Sequence, residues 1–421
     1  MQVIVSPSSL EGKVHMPSSK SYMQRVLVAS LLAEGTSTIK NPGKSEDELN
    51  MLRVIELLGA QVTDNQQNLS IRGGFAPDLS SLNIGESGLG IRLIIPVIAL
   101  SGMEIIIEGQ GSLKNRPMGV IEQVLNQAGV ECDTSGGFLP VRVKGPLKGS
   151  TIQLDGSVSS QFLSGLLFAL PLAENDSRVE VKNLKSKPYV DMTLEVLDKF
   201  GIRVVNHNYE VFDIPGNQQY RSTEIEIEGD WSNAAFFFTG AAIRGKLEIS
   251  GLNPRSIQGD KKILDVLEAC GAHLEYSKGS YTLQNPDALK PFEFDATDTP
   301  DLFPPLGVLA ANCNGTSSIR GVHRLRYKES NRAEAIMQEL SNMGIEGFVE
   351  DDKDEMHIKG NRPNGGAWDS HNDHRMAMAG AMIALASANP VRITNAQAVG
   401  KSFPTFFDTL RTLHVGITVQ K

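Results

Sequence analysis

The chain has 421 residues, of which 40% are hydrophobic and 21% charged, and its formal net charge is −9. This balance is typical of a globular protein with a buried core, and the length predicts two or three domains at roughly 150 residues each. An acidic surface excludes general attraction to nucleic acid or to an anionic membrane, so a site for anionic ligands has to gather its cations locally.

The sequence also predicts the compartment. Residues 1–10 lack the basic start and apolar stretch of a secretory signal, and the longest nearly apolar run, 376–388, is shorter than the about 20 residues of a membrane span. The three cysteines, Cys132, Cys270 and Cys313, form no C-x-x-C pair. We therefore expect a cytoplasmic protein whose cysteines are ordinary core or surface side chains, without a disulfide framework or a zinc site.

The predicted elements recur along the chain at a nearly constant interval. In one pattern, a helix-like apolar run is followed by a glycine and a short alternating strand. The glycines of its five clear copies are Gly59, Gly129, Gly201, Gly271 and Gly344. Their spacings are 70, 72, 70 and 73 residues, and a weaker sixth copy lies at 409–420. Each glycine suits the position just after a helix, where the backbone turns left-handed.

A second pattern runs in step with the first: a polar cluster opens a helix of small residues, and a strand follows. These strands are predicted at 37–41, 104–108, 178–182, 246–250, 317–321 and 390–394. Two patterns in phase six times predict six α/β repeats, with coincidence among ordinary α/β segments as the alternative. Divided as three and three, they predict two similar lobes with a ligand cleft between them. The strand around Val3 could complete either half, and 223–229 is predicted to cross between them.

The first helix of each repeat opens with polar residues. The six starts lie at 18–21 with Arg25, 85–92, 156–161, 230–233, 299–301 and 372–375. A helix start offers unpaired N–H groups and partial positive charge, which favours anion binding, although Ser, Asp and Gly there are also ordinary N-caps. Lys20, Arg92 and Arg375 favour the anion site, because a cation at the positive end of a helix is stabilised by a bound anion.

Further cations cluster at 113–117, 324–332 and Lys401. A charge run is usually a solvated face, but 324–332 directly follows the strand of the fifth repeat, which favours a functional interpretation. His371 and His374 are spaced to bind a metal from one helix face, but Arg375 beside them would repel a cation. Anion binding is therefore the favoured interpretation.

These residues resemble the enolpyruvyl transferase family over essentially the full length, and within it the members that use shikimate 3-phosphate. The matching motifs are 17–21 with Arg25, Arg116 with Pro117, 159–161, 186–189, Asp301, 328–332, 373–378 and Lys401. The resemblance implies an α/β fold of two lobes, each of three repeats with helices inside and sheets outside, in an inside-out barrel. The N-terminal strand would join the C-terminal lobe, giving lobes of 16–228 and of 1–15 plus 229–421.

The resemblance also implies which residues bind which substrate. Phosphoenolpyruvate would be bound by Lys20, Gly88, Arg92, Arg116, Gln161, Arg332, Arg375 and Lys401. Shikimate 3-phosphate would be bound by Lys20, Ser21, Arg25, Ser159, Ser160, Gln161, Ser186, Tyr189, Asp301 and Lys328. Guanidinium groups suit this task because they bind carboxylate and phosphate bidentately. We expect no cofactor, no metal, no nucleic-acid or membrane partner, and a monomer.

The implied reaction is an addition followed by an elimination, in aromatic amino acid biosynthesis. The 5-hydroxyl attacks C2 of phosphoenolpyruvate while the methylene carbon gains a proton, and then a proton and phosphate leave. This chemistry needs a base near the hydroxyl and an acid that later acts as a base at the carbon. Asp301 is assigned to the hydroxyl and Glu329 to the carbon, with Lys20 assisting. The cations around Glu329 favour its ionised form, which weakens its assignment as the acid.

The sequence departs from the family pattern in one loop and at one further position. The family commonly has Gly-Asn-Ala-Gly-Thr-Ala where this chain has 85–90, so Leu89 lacks a hydroxyl and Glu86 adds a carboxylate. Leu93 stands where Pro often follows the arginine, and Asn331 replaces a usual Asp. We expect activity to survive, but binding of the herbicide glyphosate is not predicted from this loop.

Three alternatives compete with this interpretation. The sister enzyme that adds enolpyruvate to UDP-N-acetylglucosamine usually has a reactive Cys before the Arg116 position, and 109–116 contains none. A non-catalytic anion-binding relative would gain nothing from Asp301 and Glu329 in a phosphate site. An RNA-end cyclase with related repeats would favour a basic surface, which the net charge of −9 does not provide.

Overall fold

The computed structural model describes residues 1–420, and helices and strands are spread along nearly all of them. The strands are β1 Gln2–Val5, β2 Leu10–His15, β3 Thr36–Lys40, β4 Gln61–Asp64, β5 Asn68–Arg72, β6 Ser81–Asn83, β7 Glu104–Glu108, β8 Glu131–Ser135, β9 Phe138–Lys144, β10 Thr151–Asp155, β11 Ser177–Lys182, β12 Val205–His207, β13 Val211–Ile214, β14 Glu224–Glu226, β15 Gly245–Ser250, β16 His273–Ser277, β17 Ser280–Gln284, β18 Glu293–Asp295, β19 Thr316–Arg320, β20 Glu346–Glu350, β21 Glu355–Lys359, β22 Gly366–Asp369, β23 Val391–Thr394 and β24 Ile417–Gln420. The α-helices are α1 Lys20–Leu32, α2 Glu46–Leu57, α3 Gly88–Ile98, α4 Gly119–Gln127, α5 Gln161–Ala169, α6 Lys187–Lys199, α7 Trp231–Arg244, α8 Ile263–Ala269, α9 Phe303–Ala311, α10 Arg332–Asn342, α11 His374–Ala384 and α12 Phe406–Thr412. Short 3₁₀ helices lie at Gly111–Asn115, Leu170–Leu172, Gly259–Lys262, Pro300–Leu302, His323–Tyr327, Asp351–Lys353 and Ala396–Lys401.

The strands form six four-stranded sheets that share one topology. Their orders are β14-β3-β5-β4, β6-β7-β9-β8, β10-β11-β13-β12, β2-β15-β17-β16, β18-β19-β21-β20 and β22-β23-β1-β24. In each sheet the first two strands pair in parallel and the other neighbours pair antiparallel. The predicted α/β class with six repeats is therefore confirmed.

The chain divides into two compact units. Unit I is Ser18–Ile227, and unit II is Met1–Pro17 together with the chain from Glu228 onward. Each unit contains three of the six sheets and its own hydrophobic core. The N-terminal strand β1 pairs with β23 and β24, in the sheet of the last repeat. Strand β14 pairs with β3 inside unit I. The chain passes from unit I to unit II at Ile227–Glu228, within the segment 223–229 that was predicted to cross between the halves.

The first helix of each repeat is buried on all sides, whereas the second helix buries one face. Every residue of α3, α9 and α11 is buried, because these helices consist almost entirely of apolar and small residues. Helix α2 instead buries residues at the three- and four-residue spacing of an amphipathic helix. In each unit the first helices of the repeats lie inside, whereas the second helices leave one face exposed. Arg92 and Arg375, cations within such buried helices, therefore need polar partners.

The five repeat glycines confirm the predicted left-handed turn at the end of the second helix. Their φ angles lie between 76° and 113°. The next N–H bonds back to the carbonyl five residues earlier, as from Val130 to Leu125 at 3.1 Å, which is the Schellman pattern. In the sixth repeat His414 takes the same conformation, with φ 65°, and the bond from Val415 to Leu410 is also 3.1 Å.

Because a residue with a Cβ is strained in this conformation, we expect His414→Gly to raise the free energy of unfolding by about 1 kcal/mol. Gly129→Ala should lower it by about as much, since no atom lies within 4 Å of the added Cβ and only the backbone opposes it. Urea unfolding curves measure both changes as shifts in midpoint at constant slope. His414→Ala is the control, and an equal gain with Ala would show that the backbone conformation is not the cause.

Candidate active site

In unit I, Lys20 is the first residue of the buried helix α1, and it is paired with an acid that the sequence did not single out. Its Nζ lies 2.9 Å from a carboxylate oxygen of Asp47, and both side chains are nearly buried. Asp47 is held in the first turn of α2 by a capping box between Ser45 and Glu48. The Ser-x-x-Glu signal was visible in the sequence, but nothing there linked Asp47 to Lys20.

Arg25 ties α1 to α6 from a fully buried position. Its guanidinium donates to the Thr193 hydroxyl at 2.9 Å, to the Ser21 carbonyl at 2.8 Å and to the Tyr189 carbonyl at 3.0 Å. Burial lowers the pKa of Arg25 to about 10. Three of the residues predicted to bind shikimate 3-phosphate, Ser21, Arg25 and Tyr189, thus lie together.

Four residues predicted to bind phosphoenolpyruvate also meet in unit I. Arg92 donates to the Gln161 side chain at 2.8 Å and lies over the Phe162 ring, 4.8 Å from its centroid. The Arg116 guanidinium packs directly on Gly88, where a Cβ would come within 1.9 Å of Nη1. A glycine is therefore required at position 88 for this approach of Arg116.

The unusual Glu86 lies against the same loop. A Cβ on Gly111 would come within 2.2 Å of the Glu86 Oε1, so the carboxylate packs on the 3₁₀ helix Gly111–Asn115. The Gln110 N–H bonds to the Gly85 carbonyl at 2.7 Å. The departure from the family pattern thus places a carboxylate at the junction of the two loops that carry Gly88 and Arg116.

The other three predicted serines, Ser159, Ser160 and Ser186, lie at the starts of α5 and α6. Ser159 accepts from the Gln161 N–H at 3.3 Å, and the buried Ser160 is the N-cap of α5. Ser186 is the N-cap of α6 and is left-handed, with φ 60°. Such a conformation in a residue other than glycine persists only where its surroundings hold it, and such residues cluster at functional sites.

In unit II the predicted base Asp301 is surrounded by three cations. Its Oδ1 accepts from Arg332 at 2.8 Å and from Lys328 at 3.5 Å, and its Oδ2 accepts from Arg375 at 3.0 Å. Burial alone would raise the pKa of Asp301, but Arg375, Lys328 and Arg332 together hold it well below its usual range. Asp301 is therefore ionised at neutral pH.

Arg332 is completely buried and binds three carboxylates. Besides Asp301, it donates to Glu329 at 2.7 Å and to Asp373 at 2.8 Å. Burial would lower the pKa of Arg332, but Asp373, Glu329 and Asp301 raise it above its usual value. Asp373 also caps α11 by accepting the Arg375 N–H at 2.9 Å. Its motif was recognised in the sequence, but Asp373 itself was not assigned to the site.

The two lysines of unit II differ in their environments. Burial lowers the pKa of Lys328 to about 8, although Asp301 acts in the opposite direction. The Lys401 Nζ donates to the carbonyl of Asn372 at 2.8 Å. Lys401 is the last residue of the 3₁₀ helix Ala396–Lys401 and is buried.

A further buried acid, Asp260, was missed by the sequence analysis. Ser232, in the first turn of α7, donates a hydrogen bond to it. Burial and the charge of Asp301 raise the pKa of Asp260 to about 6, while Arg375 opposes the rise. Asp260 lies in the 3₁₀ helix Gly259–Lys262, outside the polar clusters that open the first helix of each repeat, so no sequence signal identified it.

The two histidines considered as metal ligands have different carboxylate partners. His371 Nε2 lies 2.9 Å from Glu339, whereas His374 Nδ1 lies 3.6 Å from Asp373. The geometry therefore gives no support to a shared metal. Among residues 1–420, no helix has the length and apolar character needed to span a membrane. The three cysteines are buried and unbridged, as predicted.

Comparisons with known proteins agree with this architecture. The fold is similar over 99% of the chain to the solved EPSP synthase of Acinetobacter baumannii, with a TM-score of 0.82, 26% identity and full coverage of that chain. The enolpyruvyl transferase NikO of Streptomyces tendae shares the fold, with a TM-score of 0.81 and 17% identity over 99% of this chain and 98% of that one.

The sequence comparisons identify the family. The sequence model of the EPSP synthase (3-phosphoshikimate 1-carboxyvinyltransferase) family matches residues 4–410, and the chain belongs to this family. It is 37% identical to the 3-phosphoshikimate 1-carboxyvinyltransferase of Clostridium kluyveri, over 98% of this chain and 97% of that protein. The 3-phosphoshikimate 1-carboxyvinyltransferase of Aeropyrum pernix is 35% identical, over 100% of this chain and 97% of that protein. The resemblance read from the motifs is thus confirmed.

We expect Arg332→Met to lower the free energy of unfolding by about 3–5 kcal/mol, because three carboxylates lose their shared buried cation. The depressed pKa of Asp301 gives the wild type a contribution that is present above the unfolded-state pKa and is lost as the pH falls through the folded-state value. The difference between the two proteins should therefore be steady from about pH 7 to about pH 4 and narrow only below about pH 4, as the pH falls toward the folded-state pKa of Asp301. Denaturant unfolding across this range measures it.

Arg326→Met is the matched control, since Arg326 pairs with Asp351 at 2.8 Å on the exposed surface of the same segment. We expect this variant to unfold almost as the wild type does. Equal losses for the two arginines would contradict the central role of Arg332.

Proposed function

We propose that this chain transfers the enolpyruvyl group of phosphoenolpyruvate to the 5-hydroxyl of shikimate 3-phosphate, giving 5-enolpyruvylshikimate 3-phosphate and phosphate. The observation that carries this proposal is the contact of Asp301 with Arg332, Arg375 and Lys328. A site for anion binding alone needs the cations but not the carboxylate. Membership of the EPSP synthase family supports the same reaction, a step of aromatic amino acid biosynthesis.

The roles of the binding residues remain as the sequence predicted them. Arg332, Arg375 and Lys401 are proposed to bind the phosphate and carboxylate of phosphoenolpyruvate, for which charge-assisted hydrogen bonds contribute roughly 1.5–3 kcal/mol each. Lys328 is proposed to bind shikimate 3-phosphate. Because its pKa is near 8, its positive charge is largely present at neutral pH and is lost in mildly alkaline solution.

Asp301 is proposed to accept the proton of the 5-hydroxyl. Without substrate, its cations make it a weak base, since they favour the ionised carboxylate. An anionic substrate that takes over hydrogen bonds from Arg375 and Lys328 weakens that effect and raises the proton affinity of Asp301. The base would therefore strengthen when the substrates bind.

Glu329 is proposed to act at the methyl carbon. Its contact with Arg332 at 2.7 Å favours the carboxylate, which suits removal of a proton in the elimination step better than donation in the addition step. Lys20 is proposed to assist in supplying the proton for the addition. Cytoplasmic location and a monomeric state stay predictions from the sequence.

Phosphate release from phosphoenolpyruvate by the purified protein tests the proposal. We expect release with shikimate 3-phosphate and none with UDP-N-acetylglucosamine. Release only with the nucleotide sugar would assign the chain the sister reaction. Binding of both substrates without release would leave an anion-binding relative that lacks the chemistry.

Asp301→Asn and Glu329→Gln should each lower kcat by about 10²–10⁴-fold, because each removes a group that transfers a proton. Steady-state kinetics measure the loss, and calorimetric titration with shikimate 3-phosphate verifies that the variants still bind it. His357→Gln, in the same unit but on strand β21, is the control with unchanged kcat. Near-normal turnover of Glu329→Gln with bound substrates would remove Glu329 from the mechanism.

A further inference from the structure

Helix α10 contacts the segment before α11 at two places, two helical turns apart. Its first residue, Arg332, binds the Asp373 carboxylate at 2.8 Å. Seven residues later, the buried Glu339 binds the ring of His371 at 2.9 Å and the backbone N–H of Asp369 at 3.1 Å. Residues seven apart lie on nearly the same face of an α-helix. One face of α10 therefore holds both ends of this segment.

Two consecutive residues of the segment have a backbone conformation that is uncommon outside glycine. His371 and Asn372 are consecutive left-handed residues, with φ angles of 51° and 55°. A side chain with a Cβ rarely adopts this conformation, and it persists only where surrounding contacts enforce it. Local hydrogen bonds close the turn, from the His371 N–H to Asp369 at 2.9 Å and from the Asp373 N–H to the Ser370 carbonyl at 2.8 Å. The His371 ring adds the contact to α10.

This turn determines where three cations of the proposed phosphoenolpyruvate site lie. The Asn372 carbonyl accepts from Lys401 at 2.8 Å. The next residue, Asp373, holds Arg332 through its side chain. Arg375 follows in the first turn of α11, where its N–H is capped by the same carboxylate. A change in the turn would therefore displace all three cations together.

We propose that Glu339 and His371 form a positioning pair, which holds the left-handed turn and thereby places these three cations to bind phosphoenolpyruvate. The inference rests on the proposed function, because the ligand is the one assigned there. Neither member of the pair touches the substrate, and both act through the turn. The effect should consequently fall on affinity for phosphoenolpyruvate.

The charge on His371 makes the pair dependent on pH. The hydrogen bond to Glu339 raises the pKa of His371, burial opposes the rise, and the carboxylates of Asp369 and Asp373 add to it. Glu334 of α10 also lines the cavity that the His371 side chain borders. Because the folded-state pKa is above the unfolded value, the contribution of the pair is complete below about pH 6.5 and is lost as the pH rises through the folded-state pKa.

Kinetics of His371→Ala, His371→Gln and Glu339→Gln test the proposal. For His371→Ala we expect KM for phosphoenolpyruvate to rise about fivefold to thirtyfold, with kcat changed by less than about twofold. His371→Gln keeps a hydrogen-bond donor, so its KM should lie much closer to the wild-type value than that of His371→Ala. The ratio of the His371→Gln KM to the wild-type KM should be highest near about pH 6 and approach one near about pH 9. A ratio is used because ionisation of the substrate affects both proteins equally.

Two further measurements separate positioning from general stability. The dissociation constant for shikimate 3-phosphate and the melting temperature should stay near the wild-type values in His371→Gln. His357→Gln is the control, because His357 pairs with Glu350 at 3.3 Å in the same unit without contacting the turn.

If the wild type is active and His371→Ala has an unchanged KM for phosphoenolpyruvate, the positioning pair is overturned and the proposed function is not. The positioning role is also overturned if the dissociation constant for shikimate 3-phosphate rises in the His371 variants as much as their KM for phosphoenolpyruvate, since the pair would then be only structural. A wild type that releases no phosphate would instead overturn the proposed function, and the pair with it.

Discussion

The buried charge of Arg332 is the constraint on which the polar residues of unit II depend. A guanidinium removed from water requires carboxylate partners, and the three partners of Arg332 come from three separate helix starts. Asp301 lies before α9, Glu329 before α10, and Asp373 caps α11. One cation thereby fixes the relative positions of the two helices of the fifth repeat and the first helix of the sixth.

This arrangement determines how the proposed site would bind an anionic substrate. Lys328, Arg332 and Arg375 are balanced by Asp301, Glu329 and Asp373 before any ligand arrives. An anion therefore exchanges hydrogen-bond partners within a cluster of charges that are already paired, and does not simply meet an exposed positive surface. Such an exchange favours selectivity over raw affinity, because only a ligand that satisfies several released groups repays the desolvation. It is also compatible with the acidic net charge of the chain.

The sequence predicted the repeat architecture well because two physical requirements recur in every repeat. A left-handed turn after each second helix required glycine in five of the six copies, and a buried first helix required small and apolar residues. The candidate site residues were predicted from motifs in which several polar residues stand together. Asp47, Asp260 and Glu339 were missed, because each is a single acid whose partner is distant in sequence. Only the folded chain brings such pairs together.

The pairing of the N-terminal strands has a consequence for the order of folding. Strand β2 pairs with β15, and β1 pairs with β23 and β24, near the other end of the chain. Unit I is inserted between β2 and β15, and the two segments of unit II that lead into and out of it are joined where the Asp230 N–H bonds to the Pro17 carbonyl at 2.8 Å. A ribosome adding roughly 5–20 residues per second releases the partners of β1 only after tens of seconds. Strand β1 is therefore made long before its partners and is among the last to find its sheet, so its edges need protection from other chains throughout synthesis.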